Sequence, residues 1–91
     1  MAELTSMRNI GREMARKLTA AGIDTPEKLL QAGAKQAFFQ LATLYPNVCL
    51  VHLYALEGAV RDVDLNSLPE GTKEDLREFN GALRGKRGSA P

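Results

Sequence analysis

The sequence has one cysteine, one histidine and no tryptophan, and its net charge is only +1. Each scarcity removes a class of protein. A lone Cys49 forms no internal disulfide, and no charged stretch leading into an apolar run marks the N-terminus for secretion, so a cytoplasmic location is expected. Near-neutral charge supplies no global field that would draw the molecule onto a polyanion or an anionic membrane; any attraction for nucleic acid needs a local patch. Long hydrophobic runs are absent too. The longest, Val48 to Leu56, is broken by His52 and falls far short of the ~20 residues that span a bilayer, so no membrane partner is expected. Metal-ligand spacing, a Gly-rich nucleotide loop and a nucleophile with a positioned base are all missing. The chain is therefore expected to be non-enzymatic, with no catalytic residue, no metal and no cofactor. Sustained alternation of apolar and polar residues is lacking as well, which leaves no strand to predict.

What is present is helical punctuation. Ninety-one residues with 44% hydrophobic content fit one domain with one modest core. The pattern predicts an all-α, compact five- to six-helix domain over residues 1–83, with a helix-hairpin-helix-like N-terminal half, a central buried helix, and a flexible basic tail over 84–91. A short first helix is expected around Leu4 to Met7. The second runs from Gly11 or Arg12 to Ala21, burying Met14, Ala15 and Leu18, and ends at Gly22. Thr25-Pro26-Glu27 caps a brief third helix that stops at Gly33. A fourth carries the apolar stripe Ala34, Ala37, Phe38, Leu41, Leu44 and Tyr45 up to Pro46. The fifth, capped by Asn47, is apolar around its whole circumference and reads as the central post, with Gly58 marking the close approach of another backbone and Glu57 spaced to pair with Arg61. A last helix after Leu68-Pro69 turns Leu76, Phe79 and Leu83 inward, and its start is open between Ser67 and Thr72, since both begin a capping box.

The residues most suggestive of chemistry lie in "SMRNIGREMARKL", residues 6–18. A tight turn centred on an apolar residue can direct backbone N–H groups outward at the start of the next helix, where the dipole favours an anion. Asn9 and Gly11 flank Ile10 as the two residues most tolerant of left-handed backbone angles. Arg8 and Arg12 adjoin the turn, and Arg16 and Lys17 lie one helical turn further on. Arg8, Asn9, Ile10, Gly11, Arg12, Arg16 and Lys17 thus form a candidate cradle for nucleic-acid phosphates, read without base specificity. The competing reading makes the same turn a purely architectural corner.

Met7-Arg8-Asn9-Ile10-Gly11, Gly22-Ile23-Asp24-Thr25-Pro26-Glu27, Leu53-Tyr54-Ala55-Leu56-Glu57-Gly58-Ala59 and Leu68-Pro69, in that order, resemble the C-terminal domain of TfoX/Sxy-type proteins across residues 4 to 83. The resemblance implies a small helical domain related to helix-hairpin-helix modules. It also implies a regulatory role, since the competence regulators of this family act on transcription with a cyclic-AMP receptor protein. Those regulators carry a further N-terminal domain, and the present chain is expected to correspond to the C-terminal domain standing alone.

Three further residues have competing readings. Cys49 is read as a small core side chain rather than a nucleophile, and His52, three residues on, as an interior or boundary histidine rather than a metal ligand. Phe39 falls on the polar side of its helix among Lys35, Gln36, Gln40 and Thr43, so either a neighbouring segment covers it or it anchors a partner. Two functions follow: a module contacting the DNA backbone through the corner, or a protein-interaction module, self-associating or not, working through Phe39.

Overall fold

The computed structural model describes residues 3–88, with side chains described as far as Leu83. Four α-helices occur among these residues: α1 (Arg12–Ala20), α2 (Pro26–Leu44), α3 (Leu50–Arg61) and α4 (Glu70–Gly88). Two 3-10 turns, Leu4–Ser6 and Leu65–Ser67, complete the described elements, and no strand is among them. The expected five to six helices reduce to four for two reasons. The segment read as a first helix is a single 3-10 turn, and the third and fourth run together as α2 across a break at Gly33, where φ is 82° and ψ is 162°. α4 reaches Gly88, into the segment read as a tail; residues 89–91 of that segment lie outside the described residues.

Local chemistry fixes the helix ends. α1 closes with the Ile23 amide donating to the Leu18 carbonyl at 2.8 Å and Gly22 to Thr19 at 3.1 Å, and both Leu18 and Ile23 are buried, which is the hydrophobic contact that accompanies this closure. Thr25 Oγ1 accepts from the Lys28 amide at 3.1 Å with Pro26 in the first turn, as the sequence predicts. α3 starts later than expected. Val48 takes the core position, and Cys49, not Asn47, is the N-cap. Cys49 is therefore exposed rather than a small core side chain. Its amide donates to His52 Nδ1 at 3.0 Å while its sulfur accepts from the His52 amide, a reciprocal cap.

The core is continuous. Leu18 of α1, Leu29, Phe38 and Leu41 of α2, Leu53 and Leu56 of α3 and Leu76 of α4 are fully buried, each leucine stabilising the fold by about 1.5–3 kcal/mol. α3 packs on α2, on α4 and on the second 3-10 turn, so it is the central post. It is not covered on every side, because Val51 in its first turn is 57% exposed. Leu44 also departs from the expected stripe and is 51% exposed: the buried face of α2 follows Phe38, Leu41 and Ala42 to Tyr45, leaving Leu44 at the stripe's edge. Glu57 and Arg61 pair as expected, Arg61 Nε donating to Oε2 at 2.6 Å.

One side chain ties the N-terminal turn to this post. Asn9, in the left-handed region at φ 72°, donates from Nδ2 to the Val63 carbonyl at 2.9 Å and more weakly to Ala55 at 3.4 Å, and its Oδ1 accepts from the Leu65 amide at 3.3 Å. The amide fits because position 58 has no side chain. A Cβ there would collide with Asn9 Nδ2 and stand 2.6 Å from the Val63 carbonyl oxygen.

Three outcomes follow. Asn9→Ala leaves partly buried loop groups unpaired and puts a less tolerant residue at positive φ, and Gly58→Ala evicts the same amide; each should cost about 2–4 kcal/mol in urea unfolding. The double variant should cost less than the sum, since both changes break one contact. His52 gives a pH dependence. Burial first and the Lys17 ammonium second hold its imidazole below the ordinary 6.5, and Nδ1 can accept the Cys49 amide only while unprotonated. The unfolded chain then takes up the proton more readily, so this contribution is complete above pH 6.5 and is lost as the pH falls below it. The Tm should drop between about pH 7 and pH 5, and His52→Gln, which can keep the cap without titrating, should flatten that drop.

Candidate interaction surfaces

The corner between the first 3-10 turn and α1 shares out its polar groups between the protein and solvent. The Ile10 amide, expected to face outward, donates to the Met7 carbonyl at 3.2 Å, and the Ile10 side chain is buried. The Asn9 amide is spent on the α3 side. Gly11 is the N-cap of α1 with φ −91° and ψ −177°, an extended conformation open to any residue, so the left-handed position of the turn is Asn9 alone. No side chain caps α1, which leaves its first-turn amides facing solvent.

The four cations do not converge. Arg8 Nε lies 3.5 Å from Asp62 Oδ1, Arg16 pairs with Glu13, and Lys17 Nζ stands 5.4 Å from the centroid of the Tyr45 ring. Only Arg12 keeps a guanidinium without an ion-pair partner among the described residues. Exposed pairs of this kind add little stability, but they place carboxylates inside the basic cluster and halve the charge an anion would meet. The structure thus brings Arg8 and Asn9 to the α3 terminus, buries Ile10, and sends Arg12, Arg16 and Lys17 along the exposed side of α1.

A different surface is built around Phe39, whose ring is 48% exposed on the outer face of α2. α4 packs chiefly on α3 and leaves a furrow beside the C-terminal half of α2. There Phe39 borders a cavity of about 300 Å³ with Ala42, Thr43, Pro46 and Leu83. Towards α1, Phe39 and Leu44 border a second depression with Ala20 and Ala21; towards Phe79 there is a third. The ring therefore stands as a ridge between grooves. Lys35, the charge nearest to it in sequence, is occupied: its Nζ is 2.8 Å from Asp75 Oδ2 and 5.6 Å from the Phe79 ring centroid.

The sequence carried a signal for this surface that periodicity does not register. Between Lys35 and Glu57 no Asp, Glu, Lys or Arg occurs, whereas elsewhere no more than six consecutive residues lack one. A buried helix accounts for part of that gap. Yet Phe39, Leu44 and Val51, three of the four exposed large hydrophobic residues, fall inside it. Depletion of charge around an aromatic anchor is the compositional mark of a protein interface core.

Cys49 Sγ approaches His52 Nδ1 at 3.4 Å within the α3 cap, and among the described residues no group of three His, Cys, Asp or Glu side chains is placed to hold a metal ion. No helix among them is long and apolar enough to cross a membrane.

Comparison with known proteins agrees with the motif order. The model of the TfoX C-terminal domain matches residues 1–80. No curated protein matches the chain at significant similarity. Among solved structures, an uncharacterized protein from Listeria monocytogenes in a triclinic crystal form is 39% identical with a TM-score of 0.91, the alignment covering 92% of this chain and 96% of that one. A protein of unknown function from Listeria monocytogenes in a tetragonal form is likewise 39% identical, with a TM-score of 0.86 and coverage of 88% and 98%. With the family model spanning most of its length, the chain belongs to the TfoX C-terminal domain family.

Proposed function

We propose that this chain is a non-catalytic protein-docking module that works through the Phe39 face of α2. The observation that carries the reading is a half-exposed aromatic ridge, flanked by grooves, on a stretch of sequence free of charge. Aromatic side chains with few rotatable bonds anchor interfaces when a wet polar rim surrounds them, and Gln36, Gln40 and Thr43 supply such a rim.

Contact with a nucleic-acid backbone through Arg8, Asn9, Ile10, Gly11, Arg12, Arg16 and Lys17 is the competing function. It is favoured by the uncapped amides of α1 and by the unpaired Arg12. Against it stand the internal bonds of Asn9 and Ile10 and the carboxylates beside Arg8 and Arg16. The Arg12 guanidinium and the Lys17 ammonium, the two cations of the cluster without a carboxylate partner, neutralise about two phosphates, too few for stable binding near physiological salt.

Titration with generic duplex and single-stranded DNA over a range of salt concentrations separates the two. The docking reading expects no binding near 150 mM salt and no difference between the parent and an Arg8→Ala/Arg12→Ala variant. Binding by the parent that the variant loses, with a salt slope shallower by about 0.9 per lost phosphate contact, would replace it with the nucleic-acid function.

A further inference from the structure

We infer that the occupant of the Phe39 face is a second copy of this chain, docked about a two-fold axis. The inference rests on the docking reading above and names its partner. Two observations point to self-docking. The first is electrostatic: from Gln36 to Leu56 the chain offers no Asp, Glu, Lys or Arg, and Lys35 at the border of the face is paired with Asp75, so the α2 sides of two copies meet without opposing unpaired like charges. A partner chosen by charge would need a complementary sign here, and none is offered.

The second is shape. A two-fold interface uses one patch twice, so the patch must carry both the projecting and the receiving half. Phe39 projects, and the furrow between α2 and α4 that begins at its edge is lined by Ala42, Thr43, Pro46 and Leu83, small or apolar side chains around a cavity of about 300 Å³. Knob and socket thus lie side by side on one surface. In a two-fold pair the ring of each copy enters the furrow of the other, while Leu44, 51% exposed beside Ala20 and Ala21, extends the apolar area toward α1. A standard interface takes about 800 Å² from each partner, roughly one-seventh of the 5455 Å² this chain exposes.

Sedimentation equilibrium of the whole chain over about 10 μM to 1 mM tests this, the window in which a small interface exchanges. The expected result is a monomer–dimer equilibrium little altered by added salt, because no ion pair holds it. Phe39→Asp should weaken the dimer at least about tenfold, and Thr43→Arg, which sets a charge in the socket of each copy, should do the same. Leu30→Asp, equally exposed on α2 but outside the uncharged stretch, should leave the equilibrium unchanged. Melting curves establish that each variant is folded, and Thr43→Arg serves if Phe39→Asp is not.

A monomer at every concentration would overturn the inference, as would a dimer indifferent to both Phe39→Asp and Thr43→Arg. That failure is distinct from failure of the docking reading. A monomer that also ignores DNA removes the second copy and leaves the face to a different protein, whereas DNA binding lost with Arg8 and Arg12 removes the docking function itself.

Discussion

The arrangement depends on one carboxamide held where a side chain is missing. Asn9 reaches from the N-terminal turn to the end of α3 and the loop after it, a separation of more than fifty positions in sequence. Its carboxamide is matched to the Val63 carbonyl and the Leu65 amide beyond the end of α3, with a weaker bond to the Ala55 carbonyl inside the helix. Unmade, such bonds are costly in a partly buried setting, and made, they set where the turn may sit. The vacant side of Gly58 is the other half of the contact, since backbone and carboxamide together fill the space a methyl group would need. From this anchoring follows the placement of α1, whose first turn begins three residues later.

The same anchoring decides what the corner has left to offer. A turn that spends its carboxamide on its own chain, and whose flanking guanidinium meets Asp62, has fewer free groups to offer a ligand. Charge is thereby concentrated in local pairs across α1, the α2 start and α4, while the far end of α2 carries none. Among the described side chains, the ion pairs gather away from the Phe39 face or, as with Lys35 and Asp75, at its border, and the α2 side of that face is neutral and partly apolar. Desolvating that side is cheaper than desolvating the pairs, because no ion has to give up water.

Much of the fold was legible because its determinants are local. The Thr25 cap, the termination at Gly22, the break at Gly33 and the Glu57–Arg61 pair each depend on residues within a few positions of one another. The approach at Gly58 was legible as well, though its partner was not, since nothing in the sequence near Asn9 points to a loop more than fifty positions away. Cys49 was misread because the helix was expected to start from Asn47, two residues before the observed cap, and the burial of Val48 sets the later start through packing. The basic cluster was legible as composition only. Which carboxylates would come to stand beside Arg8 is a tertiary fact, and Asp62 lies at the far end of a different helix. Phe39 was flagged by its place among polar neighbours, yet the furrow beside it exists only because α4 settles on α3.

Gly33 has a reach beyond its own position. Its φ and ψ fall in a region that residues with a β-carbon avoid at a cost of about 1–3 kcal/mol, although space for such an atom is free there. The segment before it buries Pro26 and Leu29, and the segment after it buries Ala34, Ala37 and Phe38, so the bend lets one helix serve two walls. The azimuth of the aromatic ridge is consequently set by this torsion together with the burial of Phe38 and Leu41 behind it. A side chain at that single unadorned residue would set the torsion of the bend against the packing behind the ridge.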